Sequence, residues 1–176
     1  YPISPNHISL VSFLASAVAA GLFAVGSYPA LIAGGLVAQF ASILDGSDGE
    51  VARLKYQSSD YGGWLDSVLD RYADALLLFG LTWHLFVNGS TDVAFIVGFG
   101  SIAGSLVLSY TAQRYDAVRG ADNPGIGSKK GLRLGRDVRV LVILIGALTN
   151  QVLVTLAVIA ITMNLEVIRR LVVGRQ

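Results

Sequence analysis

The chain has 176 residues, of which 53% are hydrophobic and 14% charged, with a net charge of +1, no cysteine and two histidines. Such a composition is too apolar for a soluble domain of this length and predicts a protein resident in lipid, with room for about six crossings and no separate soluble domain. Without thiolates, and with too few histidines for a histidine cage, any bound metal must rest mainly on oxygen ligands.

Six apolar runs approach the bilayer length and predict spans at 8–26, 29–44, 62–87, 93–115, 137–149 and 152–173. The first follows Pro5, Asn6 and His7, lacks a basic region before it and outruns a secretory signal, so it reads as a spanning helix. The expected fold is therefore an all-α integral membrane protein of six transmembrane helices. One such domain occupies 1–176, and because the first residue is Tyr1 rather than Met, a preceding cytosolic segment is expected. The turns Gly26-Ser27-Tyr28, Asn88 to Asp92 and Thr149-Asn150-Gln151 contain no lysine or arginine. All thirteen basic residues fall at the opposite ends of the spans, as do all acidic residues except Asp92. By the positive-inside rule both termini, and any chemistry, face the cytoplasm of a plasma or inner membrane. The loop from Gly120 to Gly135 is glycine-rich and basic, as a mobile flap would be.

The stretch that carries chemistry begins where span two ends. Asp45 and Asp48 are three residues apart, and Asp66 and Asp70 four apart, so each pair shares one face of its own helix. Asp66 and Asp70 lie within an apolar span, where an ionised carboxylate costs about 3 kcal/mol or more unless compensated. One or two divalent cations, Mg2+ or Mn2+, would hold four such groups ionised and would also bridge the oxygens of a pyrophosphate. Gly49, Gly62 and Ala52 leave room for a base or phosphate to approach, and Arg53 supplies a forked donor on the face of Gly49. Asp74 continues the series one turn deeper. It is left outside the site, open between a supporting ligand, a partner of Arg71 and a polar contact between helices.

From Asp45 to Asp70 the chain resembles the signature of the CDP-alcohol phosphotransferases: aspartate-x2-aspartate-glycine-x2-alanine-arginine-x8-glycine-x3-aspartate-x3-aspartate. Every fixed position agrees. The resemblance implies that Asp45, Asp48 and Asp66 bind metal and that Asp70 completes the site and acts as general base. It further implies that Gly49, Ala52, Arg53 and Gly62 form the CDP pocket. The acceptor hydroxyl would attack the phosphate next to the activated alcohol, with CMP leaving, and the enzyme would be a homodimer.

Arg114, Arg136 and Arg139 belong to a basic rim with Arg119, Lys129, Lys130 and Arg133. The rim reads either as topology determination and contact with anionic lipid or as a pocket for a phosphorylated acceptor. The second reading makes Arg114, Arg136 and Arg139 candidates for the acceptor phosphate and favours an inositol phosphate or similar polyol phosphate. That choice also follows a general likeness to archaeal fused enzymes that make di-inositol phosphate. The expected partners are a CDP-alcohol donor, that acceptor and membrane lipids, with no nucleic acid. Gly100 and Gly104 have the small-xxx-small spacing of close helix packing, within the chain or between two copies. Two alternatives are a membrane prenyltransferase, which would release pyrophosphate, and a divalent-cation transporter, which would need polar residues through the whole membrane depth.

Overall fold

The computed structural model describes residues 5–54, 59–119 and 135–173. Six helices follow in order: α1 (Pro5–Ala24), α2 (Tyr28–Leu54), α3 (Asp60–Val87), α4 (Thr91–Arg119), α5 (Arg136–Leu148) and α6 (Val152–Val173). No strand occurs among the described residues. Each helix coincides with one apolar run. The largest departure is α2, which continues to Leu54 instead of ending near 44 and so carries Asp45 and the start of the motif on regular helix. The loop expected as a flap lies, but for Gly135, outside the described residues.

Four stretches, Asn6–Ala24, Tyr28–Ser47, Asp92–Arg114 and Val152–Val172, are long and apolar enough to cross a membrane. Helix α3 has the length but carries Asp60, Asp66, Asp70, Arg71 and Asp74 between its start and its midpoint turn. Helix α5 has 13 residues, about 20 Å at the rise of an α-helix, short of the roughly 30 Å of hydrocarbon.

The three short turns gather at one end of the bundle and bind one another. Gly26 (φ +82°) and Gly89 (φ +92°) take the left-handed backbone that closes two of them. Asn88 Nδ2 donates to the Gly26 carbonyl at 3.1 Å, and the Tyr28 hydroxyl donates to the Leu148 carbonyl at 2.8 Å. His84, at this end of α3, is buried against the Phe23 carbonyl 3.2 Å from Nδ1, so it is an interior polar contact rather than the interfacial side chain its position suggests. All the charged pairs described below lie toward the other end.

Helix α1 packs on α2 and α3, α4 on α3 and α6, and α5 on α2. Phe23, Leu31, Leu77, Leu81, Leu156 and Met163 are fully buried among them. In lipid, helix association rests on close van der Waals packing, because the tails are as apolar as the side chains. Small residues therefore matter. A Cβ on Gly104 would stand 2.6 Å from Asn164 Nδ2 and 3.1 Å from Met163 Cβ, and Asn164 Nδ2 donates to the Gly100 carbonyl at 3.0 Å. The Gly100–Gly104 pair thus packs against α6 of the same chain. A Cβ on Gly80 would fall 2.5 Å from the Ala20 carbonyl oxygen, where backbone cannot give way cheaply. Gly80→Ala is accordingly expected to destabilise the fold by about 1–3 kcal/mol, read as a lowered midpoint in thermal unfolding of the detergent-solubilised protein.

Candidate functional site

Helix α3 begins at Ser59, whose hydroxyl accepts the Gly62 N–H at 3.0 Å as an N-cap. From that start, Asp66, Asp70 and Asp74 recur every fourth residue and line one face. Helix α2 delivers Asp45 to the same place. One carboxylate oxygen from each of Asp45, Asp66 and Asp70 comes within 4.8 Å of the others. Three of the four aspartates expected as ligands are therefore together. Asp48, Gly49, Ala52 and Arg53 sit on the last turns of α2, and their side chains lie outside the described residues.

The cluster is compensated from α5. Arg136 Nη1 lies 2.5 Å from Asp45 Oδ2 and donates to Asp70 Oδ1, while its Nε is 3.9 Å from Asp74 Oδ1. Arg139, one turn on, reaches deeper: its Nη1 is 2.7 Å from Asp74 Oδ2 and donates to the Ser105 hydroxyl of α4. Both arginines were expected at the acceptor phosphate, and here both face carboxylates. Cations in the first turn of a helix oppose its dipole, so their position there is sustained by the aspartates. The Ser42 hydroxyl donates to Asp137 Oδ1 at 3.1 Å and ties this turn of α5 to α2. Arg71, an alternative partner for Asp74, instead donates to the Ser67 carbonyl at 2.7 Å and stands 3.7 Å from Asp70. Arg114 is exposed, and no hydrogen bond or ion pair among the described residues joins it to the cluster.

Asp74 and Ser12 join the site beyond what sequence reasoning assigned to it. Asp74 is 7% exposed and so needs the pairing it receives. Its spacing after Asp70 was the available signal. Ser12, on α1 and fully buried, places its hydroxyl 2.9 Å from Asp45 Oδ1 and 2.9 Å from the Ser9 carbonyl. A neutral hydroxyl in an apolar run gives no sequence signal. Gly62 is explained in part by packing, since a Cβ there would be 3.1 Å from Asn6 Oδ1 of α1.

The residues fit a divalent cation. Carboxylates are the hard oxygen donors that Mg2+ and Mn2+ take. Bonds of about 2.1 Å allow ligand oxygens to stand up to about 4.2 Å apart, so the observed cluster needs to close by only a fraction of an ångström. With every group ionised, Asp45, Asp66, Asp70 and Asp74 contribute −4, and Arg136 and Arg139 +2. With Arg71 3.7 Å from Asp70 adding a further positive charge, the described cluster remains net negative, as a site for a dication requires. Because the hydroxyl of Ser12 orients Asp45, Ser12→Ala is expected to weaken metal binding by about 10-fold or more, measured by calorimetric titration of Mn2+.

The family model described as CDP-alcohol phosphatidyltransferase matches residues 2–168. A "Bifunctional IPC transferase and DIPP synthase" of Rubrobacter xylanophilus is 39% identical over 170 residues, 97% of this chain and 37% of that protein. A protein of the same description from Aquifex aeolicus is 39% identical over 94% of this chain and 37% of its own length. An "Archaetidylinositol phosphate synthase" of Pyrococcus horikoshii is 30% identical over 96% of this chain and 81% of its own. The chain thus spans little more than a third of the length of these two bifunctional relatives. The crystal structure of Mycobacterium tuberculosis phosphatidylinositol phosphate synthase with CDP-DAG bound superposes with a TM-score of 0.82 at 23% identity, over 98% of this chain and 87% of that one. At that identity the likeness is one of fold.

Proposed function

Because this chain belongs to the CDP-alcohol phosphatidyltransferase family, we propose that it transfers a substituted phosphate group from a CDP-alcohol to a hydroxyl of an inositol phosphate or similar polyol phosphate, releasing CMP. The family membership sets aside the prenyltransferase and cation-transporter alternatives. The observation that carries the proposal is the convergence of Asp45, Asp66 and Asp70 at one end of the bundle, within the motif that the resemblance was read from. The archaetidylinositol phosphate synthase and phosphatidylinositol phosphate synthase among its relatives support the acceptor class.

In the proposed reaction the acceptor oxygen forms a bond to the phosphorus that carries the donor's alcohol. The bond from that phosphorus to the CMP oxygen breaks, and CMP departs with the electron pair. The acceptor's hydroxyl proton passes to a carboxylate, for which we assign Asp70. Mg2+ or Mn2+, as one or two ions, would supply charge neutralisation for the pyrophosphate. Asp45, Asp48, Asp66 and Asp70 would hold it. Gly49, Ala52, Arg53 and Gly62 would receive the cytidine and its phosphates. Arg136, with Arg114 at the rim, would receive the acceptor phosphate, while Arg139 would stay paired with Asp74 and support Arg136 from one turn deeper.

The proposal includes six spans with both termini and the site on the cytoplasmic side, α3 crossing because its charges pair within the bundle and α5 with help from local thinning or flanking residues. It also includes a homodimer formed through a face other than Gly100 and Gly104. The test is CMP release by the purified protein with Mg2+ or Mn2+. CDP-diacylglycerol and CDP-inositol are offered separately, each with a panel of polyols and polyol phosphates. Metal-dependent release requiring one donor and one phosphorylated polyol supports the reading. Release with unphosphorylated polyols alone rejects the acceptor class, and no release with any pair rejects the reaction.

A further inference from the structure

We infer that Arg136 is the resident counter-ion of Asp45 and Asp70, that a divalent cation displaces it from their oxygens, and that metal loading thereby frees its guanidinium for the acceptor's phosphate. The inference rests on the proposed metal site and adds to it an order of events and a coupling between two ligands.

The oxygens of Asp45 are both engaged. Oδ1 takes the Ser12 hydroxyl and Oδ2 takes Arg136. The same Nη1 of Arg136 also reaches Asp70 Oδ1, so a single guanidinium nitrogen bridges two of the three carboxylates that converge within 4.8 Å. A dication held by those carboxylates would compete for the same lone pairs and would repel a guanidinium resting on them. The dication carries twice the charge and approaches oxygen more closely, about 2.1 Å against about 2.8 Å for an N–H donor. It therefore prevails over Arg136.

Arg136 is also built to leave. Its Nε is buried and makes no hydrogen bond, and every ion pair it forms among the described residues is to Asp45, Asp70 or Asp74. Among the described residues no backbone carbonyl or hydroxyl anchors it. Arg139 differs, because the Ser105 hydroxyl on α4 holds it beside Asp74 whatever happens at the metal. Once Asp45 and Asp70 turn to the cation, Arg136 is left only with Asp74, which is 3.9 Å away and already paired with Arg139, and a phosphate offers its fork the bidentate geometry that guanidinium favours. The acceptor's phosphate is then recruited only to a metal-loaded site. By linkage, phosphate must in turn tighten metal binding by the same factor.

The test is a calorimetric titration of Mn2+ into the full chain in detergent, without nucleotide or acceptor, for wild type, Arg136→Gln and Asp66→Asn. The Gln variant has lost the competitor and is expected to bind Mn2+ about tenfold more tightly than wild type. Equal or weaker binding by the folded Gln variant overturns the inference. Inorganic phosphate binding to wild type, with and without Mg2+, gives a second reading that does not depend on the variant. Its affinity is expected to rise at least about fivefold with Mg2+, and an unchanged affinity overturns the coupling. In Arg136→Gln that gain should vanish, and its full retention also overturns it. Wild type that binds Mn2+ in an Asp66-dependent manner, beside a Gln variant that binds no tighter, rejects the Arg136 inference alone. Absence of Mn2+ binding in wild type and in both variants rejects the metal site on which it rests.

Discussion

Asp70→Asn is expected to lower CMP release by about 10²–10⁴-fold, the range a positioned general base contributes, with the helical bundle still folded. Asparagine keeps the shape of the side chain and a carbonyl oxygen able to accept the Arg136 hydrogen bond seen at Asp70 Oδ1. It removes one negative charge and the capacity to take the acceptor's proton. Asp70 faces Asp45, Asp66 and Asp74 on one side and Arg136 and Arg71 on the other. Loss of its charge therefore also weakens the hold on a dication, and the experiment must separate the two effects. Raising Mn2+ does so. Asp66→Asn, which removes a ligand alone, should recover much of its rate at saturating metal, whereas Asp70→Asn should not. Full recovery of Asp70→Asn by metal would remove Asp70 from the role of base and leave it as a ligand.

The parts of this molecule legible in its sequence are those fixed by local pattern. Apolar runs mark the six helices because each run must bury or expose to lipid a continuous apolar surface, and α2 outlasts its run only where the sequence turns polar after Leu44. The three-residue and four-residue spacings of the aspartates survive as shared faces because helical geometry guarantees them. What could not be read was which helix meets which. Arg136 and Asp70 are 66 residues apart, and Arg139 and Ser105 34 apart. A sequence reports that these arginines are cationic, and a phosphate is then as good a partner as a carboxylate. Only the seating of α5 on α2, beside α3, decides that they face the aspartates. Ser12 was invisible for a related reason, since its value lies wholly in its position against Asp45. The Gly100–Gly104 spacing was visible, but whether its partner was α6 or a second chain depends on packing that spacing does not encode.

Arg139→Met is expected to cost about 3–5 kcal/mol of stability, the penalty for breaking a buried pair and leaving one charge behind. The side chains of Arg139 and Asp74 are 12% and 8% exposed, and their contact at 2.7 Å is buttressed by the Ser105 hydroxyl, which stands 3.4 Å from Asp74 Oδ2. The stranded Asp74 retains that hydroxyl and only the distant Nε of Arg136, 3.9 Å away. Removing both charges should be milder. In Asp74→Leu with Arg139→Met no charge is left uncompensated, so the double variant should unfold at a higher temperature than Arg139→Met alone. Thermal unfolding in detergent measures all three proteins, and a double variant no more stable than the single one would show that the pair is not acting as a buried ion pair. The three linked residues come from α3, α4 and α5, one turn deeper than the carboxylates proposed to hold metal. Loosening them frees α3 and α5 to shift against each other directly beneath Asp70 and Arg136. Arg139→Met should therefore weaken Mn2+ binding although Arg139 touches none of Asp45, Asp66 and Asp70, and the double variant, if it repacks, should recover part of that affinity.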